Sequence, residues 1–129
     1  MGQEVPVLVV EDDGLILLDL EGTIKEGGYS PLPADTGEQA REMLQTTEFR
    51  ALVTDVNLGS GVTGWDLARQ ARELFPDLPV VYVTSASHEE WSAQGVPNSI
   101  LIAKPFAPAQ VVTAISQLLN NPDSDGIAG

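Results

Sequence analysis

The chain has 129 residues, a formal net charge of −13 and no cysteine. This length suits one domain, and 43% hydrophobic residues are enough for an aliphatic core. The negative charge opposes binding to nucleic acid or anionic lipid, and the lack of cysteine excludes disulfides and thiol chemistry. Because no run approaches the ~18 apolar residues of a membrane span and no secretory signal opens the chain, we expect a cytoplasmic protein.

Patterns typical of strands and helices alternate along the whole chain. The predicted order is a strand at 5–10, a helix at 14–26, a proline-containing segment at 30–34, a helix from Thr36 to about Thr47, a strand at 51–54, a helix at 65–74, a strand at 80–83, a short helix at 88–94, a strand at 100–103 and a helix from Pro108 to about Leu119. Gly27-Gly28 ends the first helix, and Asn57–Gly64 forms a glycine-rich loop after the third strand.

Five repeats of a strand followed by a helix predict an α/β fold, a doubly wound parallel sheet with helices on both faces. Four of the strands are continuously apolar, as strands covered on both faces are. The segment at 30–34 contains two prolines and fits only a sheet edge, which favours the flavodoxin-like (βα)5 order 2-1-3-4-5. We expect one domain over residues 1–120 and a flexible tail at 121–129.

Each of the four apolar strands stops on residues suited to phosphate and metal chemistry. The first is followed by Glu11 and Asp12, the next by Asp55, then Thr84 ends the fourth strand and Lys104 follows the fifth. The carboxyl ends of parallel strands share one edge of the sheet, where open α/β folds place their sites. We therefore expect these side chains to converge on one spot.

The carboxylates at this edge would repel one another unless a cation lay between them, and Mg²⁺ suits such oxygen ligands. Asp55 could attack phosphorus to give an acyl phosphate, with Lys104 and Thr84 binding the phosphoryl oxygens and the Asn57 backbone carbonyl binding the metal. Taken singly, each of these residues has an ordinary explanation as a helix cap or a surface charge. The combination in this order favours a phosphate site.

The segments VLVVEDD, LVTDVNL, VVYVTSAS and ILIAKPF together resemble the response-regulator receiver domains of two-component signalling, over about residues 5–119. The resemblance implies a phosphoacceptor that receives its phosphoryl group from a histidine kinase or phosphotransfer protein with Mg²⁺. It also implies a cis Lys104–Pro105 bond. The roles implied for single residues are phosphoacceptor for Asp55, main Mg²⁺ carboxylate for Asp12, assisting carboxylate for Glu11, metal-binding carbonyl for Asn57, switch hydroxyl for Thr84 and phosphoryl-binding cation for Lys104.

The chain departs from the receiver pattern at three places. Gly59 replaces a frequent proline and the matching glycine, Gly64, comes one residue late, so we expect a longer and more flexible loop after the acceptor. Leu101 replaces the aromatic switch residue, which removes the usual way of reporting phosphorylation. Ala86, two residues past Thr84, leaves little chemistry to position a hydrolytic water.

These patterns predict a receiver that signals through a downstream protein target and is not an enzyme, apart from its own phosphorylation and autodephosphorylation. On the first helix, Leu15 and Leu18 fall outside the apolar stripe, either as isolated exposed residues or as a docking patch for a phosphodonor helix. Two alternatives remain: a phosphorylation-independent pseudo-receiver that only binds partners, and a Mg²⁺-dependent aspartyl phosphohydrolase. The second expects an acid where the chain has Asn57.

Overall fold

A computed structural model describes residues 4–59, 61–85, 88–120 and 126–127 of the chain. Strands and helices alternate as the sequence predicts, and every predicted element is present within one residue of its expected bounds. The elements are β1 (Pro6–Val10), α1 (Gly14–Glu26), β2 (Ser30–Ala34), α2 (Gly37–Thr46), β3 (Ala51–Thr54), α3 (Gly64–Leu74), β4 (Val80–Thr84), α4 (His88–Gln94), β5 (Ser99–Ala103), α5 (Pro108–Asn120) and β6 (Gly126–Ile127). No helix within the described ranges is long and apolar enough to cross a membrane.

The strands form one parallel sheet in the order β2-β1-β3-β4-β5-β6. The predicted order 2-1-3-4-5 is therefore confirmed, and the two-residue strand β6 extends the sheet beyond β5. β6 falls within the segment 121–129, where the sequence predicts a flexible tail. The other residues of that segment lie outside the described residues.

The core lies on both faces of the sheet because the four inner strands are apolar along their whole length. Alternate residues of each strand point to opposite faces and join two separate clusters of buried side chains. One cluster lies under α2, α3 and α4, and the other under α1 and α5. β2 carries Pro31 and Pro33 and, among the described strands, pairs only with β1, so it forms the edge that its prolines predict.

Side-chain caps fix the starts of the helices next to the carboxyl edge of the sheet. The Asp13 carboxylate caps α1 by accepting from the backbone N–H groups of residues 15 and 16. At the start of α2 a capping box is half formed, because Thr36 accepts from Gln39 N–H but the Gln39 side chain accepts from the backbone N–H of residue 35. A complete capping box occurs instead at the start of α3, between Thr63 and Asp66.

Candidate functional site

Three backbone hydrogen bonds continue the sheet by one residue beyond the strands and thereby fix the site. Glu11 N–H donates to the last carbonyl of β2 (3.1 Å), Asp55 N–H to the last carbonyl of β1 (2.9 Å) and Lys104 N–H to the last carbonyl of β4 (3.0 Å). Each polar residue that follows a strand is therefore held in sheet register. The sheet itself, rather than a loop, aligns these side chains.

The ammonium of Lys104 lies at the centre of the cluster. Its Nζ is 2.8 Å from Asp55 Oδ2, to which it donates a hydrogen bond, and 2.8 Å from Glu11 Oε1. Glu11 is fully buried and Asp55 is 5% exposed, whereas about a quarter of the Lys104 side chain reaches solvent. One cation thus bridges two carboxylates that solvent barely reaches.

Burial and pairing shift the pKa values of this cluster. Burial raises the pKa of Glu11 to about 7, and the nearby charge of Asp55 adds to the rise, against the opposing effect of bonds from Lys104 and Asp13. Burial acts to lower the pKa of Lys104, but the hydrogen bonds that it donates to Asp55 and Glu11, together with their negative charges, outweigh burial and raise the pKa. Lys104 therefore stays a cation, and burial makes the charged form of Glu11 unfavourable.

The donor set fits a magnesium ion. Carboxylate oxygens of Glu11, Asp12 and Asp55 lie within 4.8 Å of one another, and Asp12 is exposed beside its two buried neighbours. Glu11 Oε1 is fully buried, and among the described residues its close partner is the Lys104 ammonium, with which it forms an ion pair at 2.8 Å. A cluster of hard oxygen ligands, open to solvent on the Asp12 side, matches the ligands that Mg²⁺ prefers.

Two residues that follow Asp55 contact it: Asn57 contacts its side chain, and Gly64 contacts its backbone. The N–H of Asn57 donates to Asp55 Oδ1 at 3.2 Å, which places the backbone of residue 57 against the predicted acceptor. Gly64 packs so closely that a Cβ there would lie 2.1 Å from the Asp55 carbonyl oxygen. Its own N–H donates to the carbonyl of Val56 at 2.8 Å. Gly64, the glycine that comes one residue later than in the receiver pattern, therefore lies directly beside the acceptor.

The lengthened loop after Asp55 is attached to α2, a contact that the sequence analysis missed. Glu38 accepts a hydrogen bond from Val62 N–H at 3.3 Å, and Gly37 packs against Val62 closely enough that a Cβ would be 2.7 Å from its carbonyl oxygen. Gly59 and Gly61 supply the positive φ angles of the turn. Residue 60 lies outside the described residues. Neither periodicity nor capping signals in the sequence indicate this contact.

The backbones of Thr84 and Lys104 meet across the ends of β4 and β5. Thr84 ends β4, is 1% exposed, and accepts the Lys104 N–H on its backbone carbonyl. The Lys104–Pro105 peptide bond is cis, as the resemblance implies. Ala86, the third departure from the receiver pattern, lies outside the described residues.

The remaining predicted positions divide into core and surface. Leu101 is buried in β5, and Trp65 is 8% exposed with its ring against Tyr82 at a centroid distance of 4.7 Å. Trp65 is thus a packing residue, and it is adjacent in sequence to the glycine that contacts Asp55. Leu15 and Leu18 are 78% and 65% exposed on α1, which confirms that they lie outside its buried stripe.

Comparison with known proteins agrees with this geometry. The family model described as "Response regulator receiver domain" matches residues 7–116. The response regulator receiver protein CpdR of Brucella abortus is 30% identical over 115 residues, which cover 88% of this chain and 95% of CpdR. Other curated relatives are longer, and the chain spans only 43–54% of several of them.

Solved structures give the same result. The crystal structure of a response regulator receiver protein from Sinorhizobium medicae superposes with a TM-score of 0.89 at 39% identity, covering 93% of this chain and 98% of that one. The receiver domain of the sensor histidine kinase PA1611 from Pseudomonas aeruginosa has the same fold (TM-score 0.79, 20% identity, 92% and 100% covered), and its structure contains a magnesium ion in the active-site cleft. From the family match and the shared architecture, we conclude that the chain belongs to the response regulator receiver domain family.

Proposed function

We propose that the chain accepts a phosphoryl group on Asp55 from a histidine kinase or a histidine phosphotransfer protein, with Mg²⁺, and signals through contact with a downstream protein. The observation that carries the proposal is the contact of Lys104 Nζ with Asp55 Oδ2 and Glu11 Oε1 inside the three-carboxylate cluster. Receiver domains are signalling modules, and this arrangement is suited to holding one phosphoryl group rather than to turning over a substrate.

In the proposed transfer, an Asp55 carboxylate oxygen forms a bond to phosphorus while the phosphorus–nitrogen bond of the donor phosphohistidine breaks. The leaving imidazole keeps the electron pair and takes up a proton. Lys104 Nζ lies 2.8 Å from Asp55 Oδ2, so an oxygen of the transferred group comes within reach of the same ammonium. The cation that neutralises the resting carboxylates then binds the new charge.

Glu11, Asp12 and the Asn57 backbone carbonyl, together with Asp55, are the proposed holders of the metal. When bound, Mg²⁺ supplies positive charge that offsets the repulsion between the carboxylates and an arriving phosphoryl group. Asp12 is the exposed member of the cluster and faces the side from which a donor can approach. Glu11 is held in place by Asp13 N–H, which donates to Glu11 Oε2 at 3.1 Å.

Thr84 is proposed as the hydroxyl that responds to phosphorylation. It is buried at the end of β4, and its backbone carbonyl holds Lys104 in register beside it. A phosphoryl group on Asp55 presents oxygens that accept hydrogen bonds, and a threonine hydroxyl is a short, adjustable donor. The expected response is a movement of this side chain toward Asp55.

The donor surface is proposed to lie on α1 next to the site. Leu15 and Leu18 are exposed there, and a groove of about 420 Å³ runs beside them, lined by Ile16, Asp19, Phe106 and Pro108 and by Lys104 with Pro105. Because the groove reaches Lys104, an apolar helix face seated on it brings a histidine on that helix close to Asp55. The proposed occupant is therefore the helix that carries the donor phosphohistidine.

Acetyl phosphate with Mg²⁺ tests the proposed function. The expected product is one alkali-labile phosphoryl group in the intact mass of the protein, absent in Asp55→Asn and unchanged in Asp77→Asn, an exposed acid at the far end of the sheet. A phosphoryl-free protein under these conditions would contradict phosphoacceptance and favour a pseudo-receiver that only binds partners. Rapid multiple turnover of a phosphomonoester would favour the aspartyl phosphohydrolase.

A further inference from the structure

The position of Leu101 leaves β5 without the aromatic ring that receivers often carry there, but the neighbouring strand has one. Tyr82 of β4 is the register partner of Leu101 and belongs to the same core cluster, so both side chains point to the same face of the sheet. Tyr82 is fully buried. The ring on this face therefore lies one strand closer to the acceptor strand β3, with which β4 pairs.

On one side, Tyr82 is connected to the backbone of the acceptor. Its ring packs against Trp65 with centroids 4.7 Å apart and planes at 59°. Trp65 follows Gly64, which is in direct contact with the Asp55 carbonyl and donates its N–H to the next residue of the acceptor loop. No side chain separates Gly64 from the Asp55 backbone, so a displacement of that backbone displaces the start of α3 and its tryptophan.

On the other side, Tyr82 is connected to α4 and the turn after it. The Tyr82 hydroxyl accepts a hydrogen bond from Val96 N–H at 3.2 Å. Ser99 Oγ donates to the Val96 carbonyl at 2.7 Å and accepts from Trp91 Nε1 at 2.9 Å. Trp91 belongs to α4, so three consecutive hydrogen bonds lead from the buried tyrosine to that helix.

Helix α4 is the element with the weakest attachment to the core. It has seven residues, none of them buried, whereas each of the other four helices has at least two buried residues. Besides the bond from Trp91, its end is held by Arg69 of α3, which donates to the Gln94 carbonyl at 3.0 Å. An element with few buried contacts opens at low free energy and responds most to a change in its remaining bonds.

We propose that Tyr82 couples phosphorylation of Asp55 to helix α4, through Trp65 on the acceptor side and the Val96 amide on the helix side. The inference rests on the proposed phosphorylation of Asp55 and extends it to the route by which the signal leaves the site. A phosphoryl group adds volume and charge beside a backbone that already touches Gly64. The packed Trp65–Tyr82 pair passes this displacement on because a close-packed interior has no free space to absorb it. The hydrogen bond from Val96 to the Tyr82 hydroxyl then changes, and with it the attachment of α4.

Hydrogen exchange followed by mass spectrometry, on the full chain with and without acetyl phosphate and Mg²⁺, tests this route. The variant is Tyr82→Phe, which keeps the ring and removes the hydroxyl. The matched control is Tyr29→Phe, because Tyr29 is the only other tyrosine of the chain and its hydroxyl bonds to Ser116 Oγ (2.7 Å) on the opposite face of the sheet. Intact mass measured on the same samples reports the extent of phosphorylation.

In the wild type and in Tyr29→Phe, phosphorylation is expected to change exchange in the segment 88–99. In Tyr82→Phe, the same extent of phosphorylation is expected to leave that segment unchanged. Before phosphorylation, Tyr82→Phe is expected to speed exchange around Val96 by roughly two- to tenfold, the effect of one lost hydrogen bond.

The proposal would be overturned if phosphorylation changed hydrogen exchange in the segment 88–99 of Tyr82→Phe as much as in the wild type. It would also be overturned if phosphorylation left exchange in that segment of the wild type unchanged. Absence of the phosphoryl group in the wild type would instead count against the proposed function, so the two failures are distinguishable. If Tyr82→Phe does not fold, Trp91→Phe replaces it, because Trp91 is only half-buried and loses just its bond to Ser99. In Trp91→Phe, phosphorylation is expected to change hydrogen exchange in α4 less than in the wild type, while exchange at Val96 still changes. A change in α4 as large as that in the wild type would refute the route.

Discussion

A single methyl group at Gly64 tests how closely the acceptor depends on the start of α3. An alanine Cβ at this position would lie 2.1 Å from the carbonyl oxygen of Asp55 and 2.7 Å from Cα of Val56. Both of these atoms belong to buried backbone, which cannot rotate away as the end of a flexible side chain does. Gly64→Ala must therefore move α3, the acceptor loop or both.

The size of the effect follows from this overlap. The contact is more than about 1 Å shorter than the ordinary contact range, which begins at 3.4 Å. Overpacking of a buried site costs about 1–3 kcal/mol in free energy of unfolding. A displacement of ~1 Å in a reacting group lowers a rate by about 10²-fold. We therefore expect the free energy of unfolding of Gly64→Ala to be lower by about 1–3 kcal/mol. We also expect it to accept a phosphoryl group from acetyl phosphate about 100 times more slowly.

Urea unfolding and the rate of phosphorylation by acetyl phosphate measure the two effects. Gly22→Ala is the matched control, because Gly22 lies on the exposed side of α1 with nothing within 4 Å of an added Cβ. That substitution is expected to stabilise the chain by about 0.5–1 kcal/mol and to leave phosphorylation unchanged. Wild-type stability together with a wild-type rate in Gly64→Ala would refute the close contact.

Three further predictions follow from the site and its surroundings. Leu15→Ser combined with Leu18→Ser is expected to slow phosphoryl transfer from a histidine-phosphorylated donor but not from acetyl phosphate. Leu74 is also exposed but lies on α3, so the control Leu74→Ser is expected to leave both rates unchanged. An equal loss of rate with both donors would count against a docking patch on α1. Asp12→Asn is expected to weaken Mg²⁺ binding, measured by titration calorimetry, by about tenfold or more. Little change in stability is expected, because Asp12 is exposed and its charge acts mainly on the metal. An unchanged affinity for Mg²⁺ would remove Asp12 from the ligand set. Thr63→Ala is expected to lower the free energy of unfolding, measured by thermal unfolding, by about 1 kcal/mol, because α3 loses its cap. The control Thr46→Ala, near the end of α2, is expected to lower it by less than about 0.5 kcal/mol. Equal losses in the two variants would contradict the capping box.

The fold was predictable because its determinants are local and periodic. Continuous apolar runs mark strands that are covered on both faces, and Pro31 with Pro33 identifies the strand that must lie at the edge. Once those strands are parallel, their carboxyl ends meet. Lys104 and Asp55 then lie at the same edge of the sheet, and the long Lys104 side chain reaches Asp55 across β4.

The contacts of the acceptor loop were not predictable in the same way. Glu38 and Val62 are 24 residues apart, and neither periodicity nor capping signals indicate that they meet. The extra loop residue suggested a flexible segment. In the structure the loop is attached to α2 at Gly37 and Glu38, because the packing of α2 against α3 brings the start of α2 alongside it. Strand β6 likewise arises in a segment whose composition favours a flexible tail.

The unusual loop and the unusual switch position are related through Gly64. The late glycine, Gly64, opens α3 next to the Asp55 carbonyl, so Trp65 follows directly after that contact. Trp65 can then pack on Tyr82, whose ring lies beside Leu101 on the same face of the sheet. An aromatic ring at position 101 would point into the same cluster and compete with Tyr82 for its volume. The loop and the aliphatic residue at 101 therefore belong to one packing arrangement, in which the ring that we propose to respond to the acceptor lies on β4.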